Sequence, residues 1–325
     1  LKPQKGEKIA VLGHMAKEPK YQGTGCAAVH ARKVDIPYDQ MIAYLTECEV
    51  KFAEGYQADG TTTDELIREA VQTAKEADQV LLFVGSFLPG EDDDYNRKDI
   101  KLSEGMTRLI DAVSAVNKNC IVILSSGEVC EMPWRHQVSA VLLTWFSGEG
   151  MGSAIADILF GRISPGGKLP LTFYYNNNPL PDITDYHMTG RTYRYLEGRP
   201  WKPFGFGLTY GELQITEAKV SEVEYTREIP SAQITLHCQN PTDRDLSDVL
   251  QVYAHVNGSS NEVPNHKLAA FERIRLDAGE SKEFRITIPP MAFTTVDNSG
   301  NRVFDGTSAT LYLGFSQPDL TEEDQ

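Results

Sequence analysis

Four short apolar runs punctuate the first half of the chain: KIAVLG (8–13), QVLLFVG (79–85), NCIVILSSG (119–127) and SAVLLTWFSG (139–148), most of them ending in Gly or Ser. A strand with one wet face alternates polar and apolar residues, whereas continuous runs of this length suit strands covered on both faces, as in a parallel sheet. Helical patterns fall between the runs. In TTTDELIREAVQTAKEA, residues Leu66, Ile67, Ala70, Val71 and Ala74 mark one helical face, with Thr62 and Glu65 at capping-box spacing. Met106, Leu109, Ile110, Val113 and Val116 mark a second helix, and Met151, Ile155, Ile158 and Leu159 a third. This alternation predicts an open α/β/α sandwich with a mostly parallel sheet.

From about residue 213 the pattern changes. VLQVYAHV and EFRITIP alternate with period two, and the turn signals NPTD, NGSS, DAGE and DNSG separate such runs. These features predict an all-β sandwich of the immunoglobulin/fibronectin III-like kind over 213–325. The α/β region is read as 1–212, including a crossover at 172–212 rich in Pro, Gly, Asn and Tyr that is too aromatic for a disordered linker. A chain of 325 residues with 41% hydrophobic content suffices for two cores.

The formal charge of −15 argues against nucleic acid and anionic membrane as partners, because both need clustered Lys and Arg. It is compatible with a neutral substrate such as a sugar. Cys26, Cys48, Cys120, Cys130 and Cys238 are scattered without a CxxC pair, which fits a reduced, cytoplasmic protein better than a disulfide framework. No apolar run approaches the roughly 20 residues of a membrane span, and no signal peptide is visible. The opening LKPQKGEKIAVLG reads as a linker feeding a strand, so further chain is expected upstream.

Ligands of open parallel sheets bind in loops beyond the carboxyl ends of the strands. GEDDDYNR (90–97) stands there, directly after QVLLFVG, with four consecutive carboxylates at Glu91–Asp94. Crowded carboxylates raise one another's pKa, which a proton-donating acid working near neutrality requires. A solvated acidic turn and a hard-cation site are the alternatives, the latter without the DxDxDG spacing of a calcium loop. KYQGTGCAAVH (20–30) lacks GxGxxG and GK[ST], so a nucleotide site has little support. In FSGEGMGS (146–153) the small residues are read as permitting close helix–sheet packing. Cys120 and Cys130 are read as buried thiols. Ser126 lacks the GxSxG elbow, and the histidines show no metal spacing, so neither a metal nor a cofactor is expected.

Several segments in order resemble the C-terminal half of family 3 glycoside hydrolases: KIAVLG, YQGTGCAAV, DYNRKDIKL, SSGEV, WFSGEGMGSAIADILFGRISPGGKLPLTF, RTYRY, PFGFGLTYGE, LAAFERIRLDAGESKEFRITI and GTSATLYLGFS. The resemblance implies an α/β sandwich followed by a fibronectin type III-like domain. It also implies a TIM-like barrel elsewhere that holds most sugar contacts and a nucleophilic Asp in a motif resembling S-D-W. No such motif occurs here, and Ser247–Asp248 falls in the predicted β-sandwich. Typical members are retaining β-glucosidases, in which two carboxyl groups stand about 5–5.5 Å apart. The family's acid/base lies in a loop resembling E-G-[FY]-D-R. Aligned without a gap, that Glu falls on Asp93 and the Asp before Arg97 becomes Asn96; a two-residue shift puts Glu91 in the role instead. Asp is one methylene shorter than Glu, and misplacement by about 1 Å can cost about 100-fold in rate.

The chain is therefore expected to be half of a shared active site acting on a β-linked glucoside or related saccharide, inactive without its barrel, which could stand before Leu1 or after Gln325. A non-catalytic carbohydrate-binding or scaffolding module is the alternative. A response-regulator-like domain with Mg²⁺ on its acidic residues would explain GEDDDYNR but neither the β-sandwich nor PFGFGLTY. Trp201, Tyr193 and Tyr195 could stack on sugar rings, but are read as packed within the crossover.

Overall fold

The computed structural model describes residues 1–86, 99–175, 181–182, 184–226 and 229–318. The chain divides into two compact units, Leu1–Ile163 with Tyr174–Asn178, and Ser164–Phe173 with Pro179–Gln325.

The first unit runs β1 (Lys8–Leu12), α1 (Pro37–Ile42), β2 (Glu49–Ala53), α2 (Asp64–Lys75), β3 (Gln79–Gly85), α3 (Glu104–Val116), β4 (Cys120–Ser125), β5 (Ala140–Leu143) and α4 (Met151–Leu159). The strands form one parallel sheet in the order β2-β1-β3-β4-β5. Helix α1 packs with α4, and α2 with α3, which covers both faces of the sheet. Strand β3 is buried along its whole length, as the unbroken run QVLLFVG requires. Met106, Leu109, Ile110 and Val113 of α3 are buried, whereas Val116 ends that stripe exposed.

Two local readings change. Strand β2 is not among the apolar runs because EVKFA is an edge strand whose Glu49 and Lys51 face solvent, with Lys51 Nζ 2.8 Å from Glu76, the residue that ends α2. The cap of α2 is Thr63, whose Oγ1 accepts from Leu66 N at 3.3 Å; Thr62 Oγ1 instead donates to Gly55 O at 2.7 Å. Two adjacent threonines offered the same chemistry, and the path of the preceding loop chose between them.

The second unit contains a short helix α5 (Thr192–Tyr195) and the strands β6 (Gln214–Thr226), β7 (Ile229–Gln239), β8 (Leu246–Asn257), β9 (Lys267–Leu276), β10 (Ser281–Ile288), β11 (Thr295–Val296), β12 (Arg302–Val303) and β13 (Ser308–Gly314). Antiparallel sheets β10-β7-β6 and β13-β8-β9 enclose a core that includes Leu236, Cys238, Leu250, Val252, Ile274 and Ile288. The NPTD turn is held by buried Asn240, whose Nδ2 donates to the carbonyls of Arg244, Leu276 and Asp277. In β8 the period-two pattern fails at its centre: Gln251 and Tyr253 are as buried as Leu250 and Val252. The aromatic crossover covers that second face. Tyr193 stacks on Phe204 (4.4 Å between ring centroids) and meets Tyr253 edge-on (6.1 Å), and Gln251 Nε2 donates to Gly205 O at 2.9 Å.

Candidate functional site

The sheet order reverses at β1: β2 lies to one side, and β3, β4 and β5 to the other. The loops leaving the carboxyl ends of β1 and β3 therefore diverge, which opens a crevice of the kind where ligands of such sheets bind. His14 follows β1 by two residues, and its Nδ1 hydrogen-bonds the Glu54 carboxylate just past β2. Its Nε2 stands 3.4 Å from Glu18. Tyr56 lies beneath, fully buried, donating its hydroxyl to Phe83 O (2.9 Å) and accepting from Met15 N (3.2 Å). Burial pushes its phenol well above the ordinary value, so it serves as a neutral tie between the β1 loop and β3. A groove of about 460 Å³ opens here, lined by His14, Lys17, Glu18, Lys20, Tyr21 and Val34 among others. Burial lowers the Lys20 pKa, and its ammonium stands over Phe146 (5.6 Å to the ring centroid).

Asp93 and Glu91, with the whole of GEDDDYNR, lie outside the described residues. The structure places the ends of their loop. Ser86, buried just past β3, donates its N–H to Ser125 O at 3.0 Å. On the return, Ile100 is buried and its carbonyl accepts from Glu131 N at 2.8 Å. Ser103 then caps α3, its Oγ accepting from Met106 N. Ser86 and Ile100, the described residues on either side of that segment, are thus both held by backbone hydrogen bonds to β4 or the loop that follows it.

The glycine-rich segments meet. Gly148 N donates to Tyr21 O and Asp35 N to Glu149 O, both at 2.8 Å. A Cβ on Gly152 would lie 2.5 Å from Asp35 O, so the small residues of GEGMGS admit the backbone of the β1 loop. Cys120 and Cys130 are buried, and burial pushes the Cys120 thiol up to about 12. Ser126 is also buried, its Oγ donating to Glu128 O at 2.8 Å. Trp201 packs edge-on against Phe173, Tyr193 sits in the stack above, and Tyr195 lines a groove of the second unit. Among the described residues no group of three or more His, Cys, Asp and Glu gathers to hold a metal ion, and no helix is long and apolar enough to cross a membrane.

His14, Glu54 and Tyr56 were not singled out in the sequence. The first follows a recognised strand closely; the other two became visible as strand-end residues only once β2 was known. Also unforeseen is a buried ion pair inside the second unit, Lys168 Nζ to Asp248 Oδ1 at 2.7 Å, with side chains 10% and 8% exposed. Lys168 also donates to Gly207 O at 2.8 Å. Leu169 N donates to Phe206 O, and Gly205 N to Leu169 O, both at 2.8 Å. SPGGKLP and PFGFGLTY therefore form one interlocked structure anchored on β8. Burial, the largest influence on both charges, pushes Asp248 up and Lys168 down, while their contact opposes both shifts. We place the proton on Lys168, because the pair is close and the ammonium has a second acceptor.

An α/β/α sandwich with a loop-bearing switch point, followed by an antiparallel β-sandwich, is the architecture of the C-terminal half of a glycoside hydrolase of family 3. The glycosyl hydrolase family 3 C-terminal domain matches residues 1–210, and a fibronectin type III-like domain matches 248–317. The chain belongs to the glycosyl hydrolase family 3 C-terminal domain family. It is 32% identical over 97% of its length to an exo-α-(1→6)-L-arabinopyranosidase of Bifidobacterium breve and 30% identical over 89% to thermostable β-glucosidase B of Acetivibrio thermocellus. It covers 43% and 40% of those proteins. The crystal structure of a Bifidobacterium adolescentis GH3 β-glucosidase superposes with a TM-score of 0.86 at 30% identity, over 97% of this chain and 50% of that one. The chain thus spans less than half the length of these curated relatives.

Proposed function

We propose that the chain is the C-terminal portion of a retaining exo-β-glycosidase, β-glucosidase-like in substrate class, and that it supplies the general acid/base to an active site shared with a TIM-like barrel. The observation that carries this reading is that β3, the strand GEDDDYNR follows in the sequence, stands beside the switch point, in a chain of this family that spans about two fifths of its relatives. Asp93 or Glu91 donates the proton to the leaving oxygen and later activates water, and the barrel supplies the nucleophile. Neighbouring carboxylates raise the pKa of the donor toward neutrality. The five cysteines, all free, support a reduced, cytoplasmic setting.

For the domains we retain 1–212, with its crossover at 172–212, and 213–325. The first family match ends at residue 210 and β6 begins at Gln214. The compact units partition the chain differently, because 164–173 and most of the crossover pack with the β-sandwich.

The test is to assay the purified chain on aryl β-glucosides alone and after adding a family barrel, covalently or in trans, with Asp93→Ala and Glu91→Ala made separately. The chain alone should be inactive, and only one substitution should abolish the reconstituted activity. Turnover by the chain alone, or indifference to both substitutions, would overturn the assignment. The departures at Asp93 and Asn96 favour a second reading, a module that binds saccharide without chemistry. It predicts that the barrel-joined protein binds sugar and does not turn it over.

A further inference from the structure

A second groove, of about 530 Å³, is formed entirely by residues of the second unit. Arg194 of α5, Lys267 at the start of β9 and Arg302 of β12 line it, so the fold gathers three cations that are far apart in sequence. Among the described residues none of the three has a carboxylate at ion-pair distance, although the chain carries 46 acidic residues against 31 Lys and Arg. Two acids share the lining. Asp297 accepts from Ser299 N (2.9 Å) and Asn301 N (2.8 Å) and so closes its own hairpin, and Glu262 is exposed.

Lys267 is held in place. Lys267 Nζ donates to Met291 O (2.8 Å) and Thr294 O (3.3 Å), and an ammonium has a third donor to offer. Burial first, then the charges of Arg302 and Arg194, lower the Lys267 pKa, so the three groups repel one another and a bound anion would relieve that repulsion. The turn that presents Arg194 and Tyr195 begins at Thr192, a β-branched residue at φ 53°. It is fixed by Asn265, whose N donates to Arg194 O (2.7 Å) and whose Nδ2 donates to Leu196 O (3.1 Å). Backbone strain maintained by its surroundings clusters at ligand sites. Tyr195, Met291 and Val296 add apolar surface, the last two 57% and 48% exposed. A groove of this volume fits a small organic molecule and is far larger than an inorganic ion needs.

We propose that this groove binds an anionic saccharide, a sugar-sized ring bearing a carboxylate or a sulfate ester. The ring covers Tyr195 and Met291, and the charged substituent lies among Arg194, Lys267 and Arg302. The groove is built from residues of the second unit alone, and its test does not need the barrel.

The purified chain is titrated by calorimetry with glucuronate, glucose 6-sulfate and glucose, at low and at high salt. At least one of the two anions should bind, glucose at least about tenfold more weakly, and the tighter anion identifies the substituent. Arg194→Ala and Arg302→Ala should each weaken anion binding about tenfold. Arg302→Lys should retain most of the affinity, and added salt should reduce it. Both arginines are exposed, so an unchanged Tm in each variant separates lost binding from lost fold. Equal binding of glucose, no binding of either anion, or unchanged affinity in both alanine variants would overturn the proposal.

Discussion

Lys168 and Asp248 show what a buried charge does once its partner is removed. Two ions taken out of water lose hydration that their mutual attraction only partly returns, so the pair adds little net stability, yet breaking it strands one charge in the interior. Lys168→Met should therefore destabilise the protein by about 3–5 kcal/mol, whereas Lys168→Met with Asp248→Leu should recover most of that loss. Urea unfolding of the two variants measures the difference. Asp305 presents a different balance. It accepts from Thr295 Oγ1 (2.7 Å), Ser259 Oγ (2.9 Å), Ser260 N (3.0 Å) and Asn261 Nδ2 (2.9 Å), and the hydrogen bonds from Thr295 foremost, then Ser259 and Ser260, lower its pKa to about 2. Its folded pKa lies below its ordinary value, so its contribution is complete above the unfolded pKa and disappears as pH falls. The Tm gap between the wild type and Asp305→Ala should be constant at neutral pH and close between about pH 4 and about pH 2. A gap that stays open at pH 2 would assign the effect to packing instead.

At the scale of elements, SPGGKLP and PFGFGLTY, which both belong to the segments that carry the family resemblance, prove to be two strips of one structure. A Cβ on Gly207 would lie 2.1 Å from Gly167 O, so the strips approach too closely for any side chain there. Gly207→Ala should cost about 1–3 kcal/mol by forcing them apart, measured as a lowered denaturation midpoint. Periodicity identified the elements whose burial is one-sided or complete. Strand β2 escaped because its edge position leaves Glu49 and Lys51 in water, and β8 exceeded its pattern because a distant crossover covers Gln251 and Tyr253. Both departures arise from neighbours remote in sequence, which a local window does not contain.

For the whole molecule, the proposed chemistry divides between this chain and a barrel, and the division can be probed through the leaving group. A good leaving group departs without protonation, so loss of the general acid slows poor leaving groups most. In the barrel-joined protein, the substitution at the true acid/base, Asp93→Ala or Glu91→Ala, should slow alkyl β-glucosides by at least about 100-fold and activated aryl β-glucosides much less in the first, glycosylation step. Equal slowing of both substrate types would point to a structural role for that residue.

The sequence by itself determined the two layer architectures, because the period of its apolar residues states which faces must leave water. It also determined the family, through motifs that stay in order along the chain, and it set the acidic loop directly after a buried strand. Only the tertiary structure decided that this strand stands beside the switch point, that His14 meets Glu54, that Lys168 neutralises Asp248, and that Arg194, Lys267 and Arg302 share a groove. Each of these depends on which segments close across long loops. That choice follows from summed packing and charge over the whole fold, and no short stretch of residues contains it.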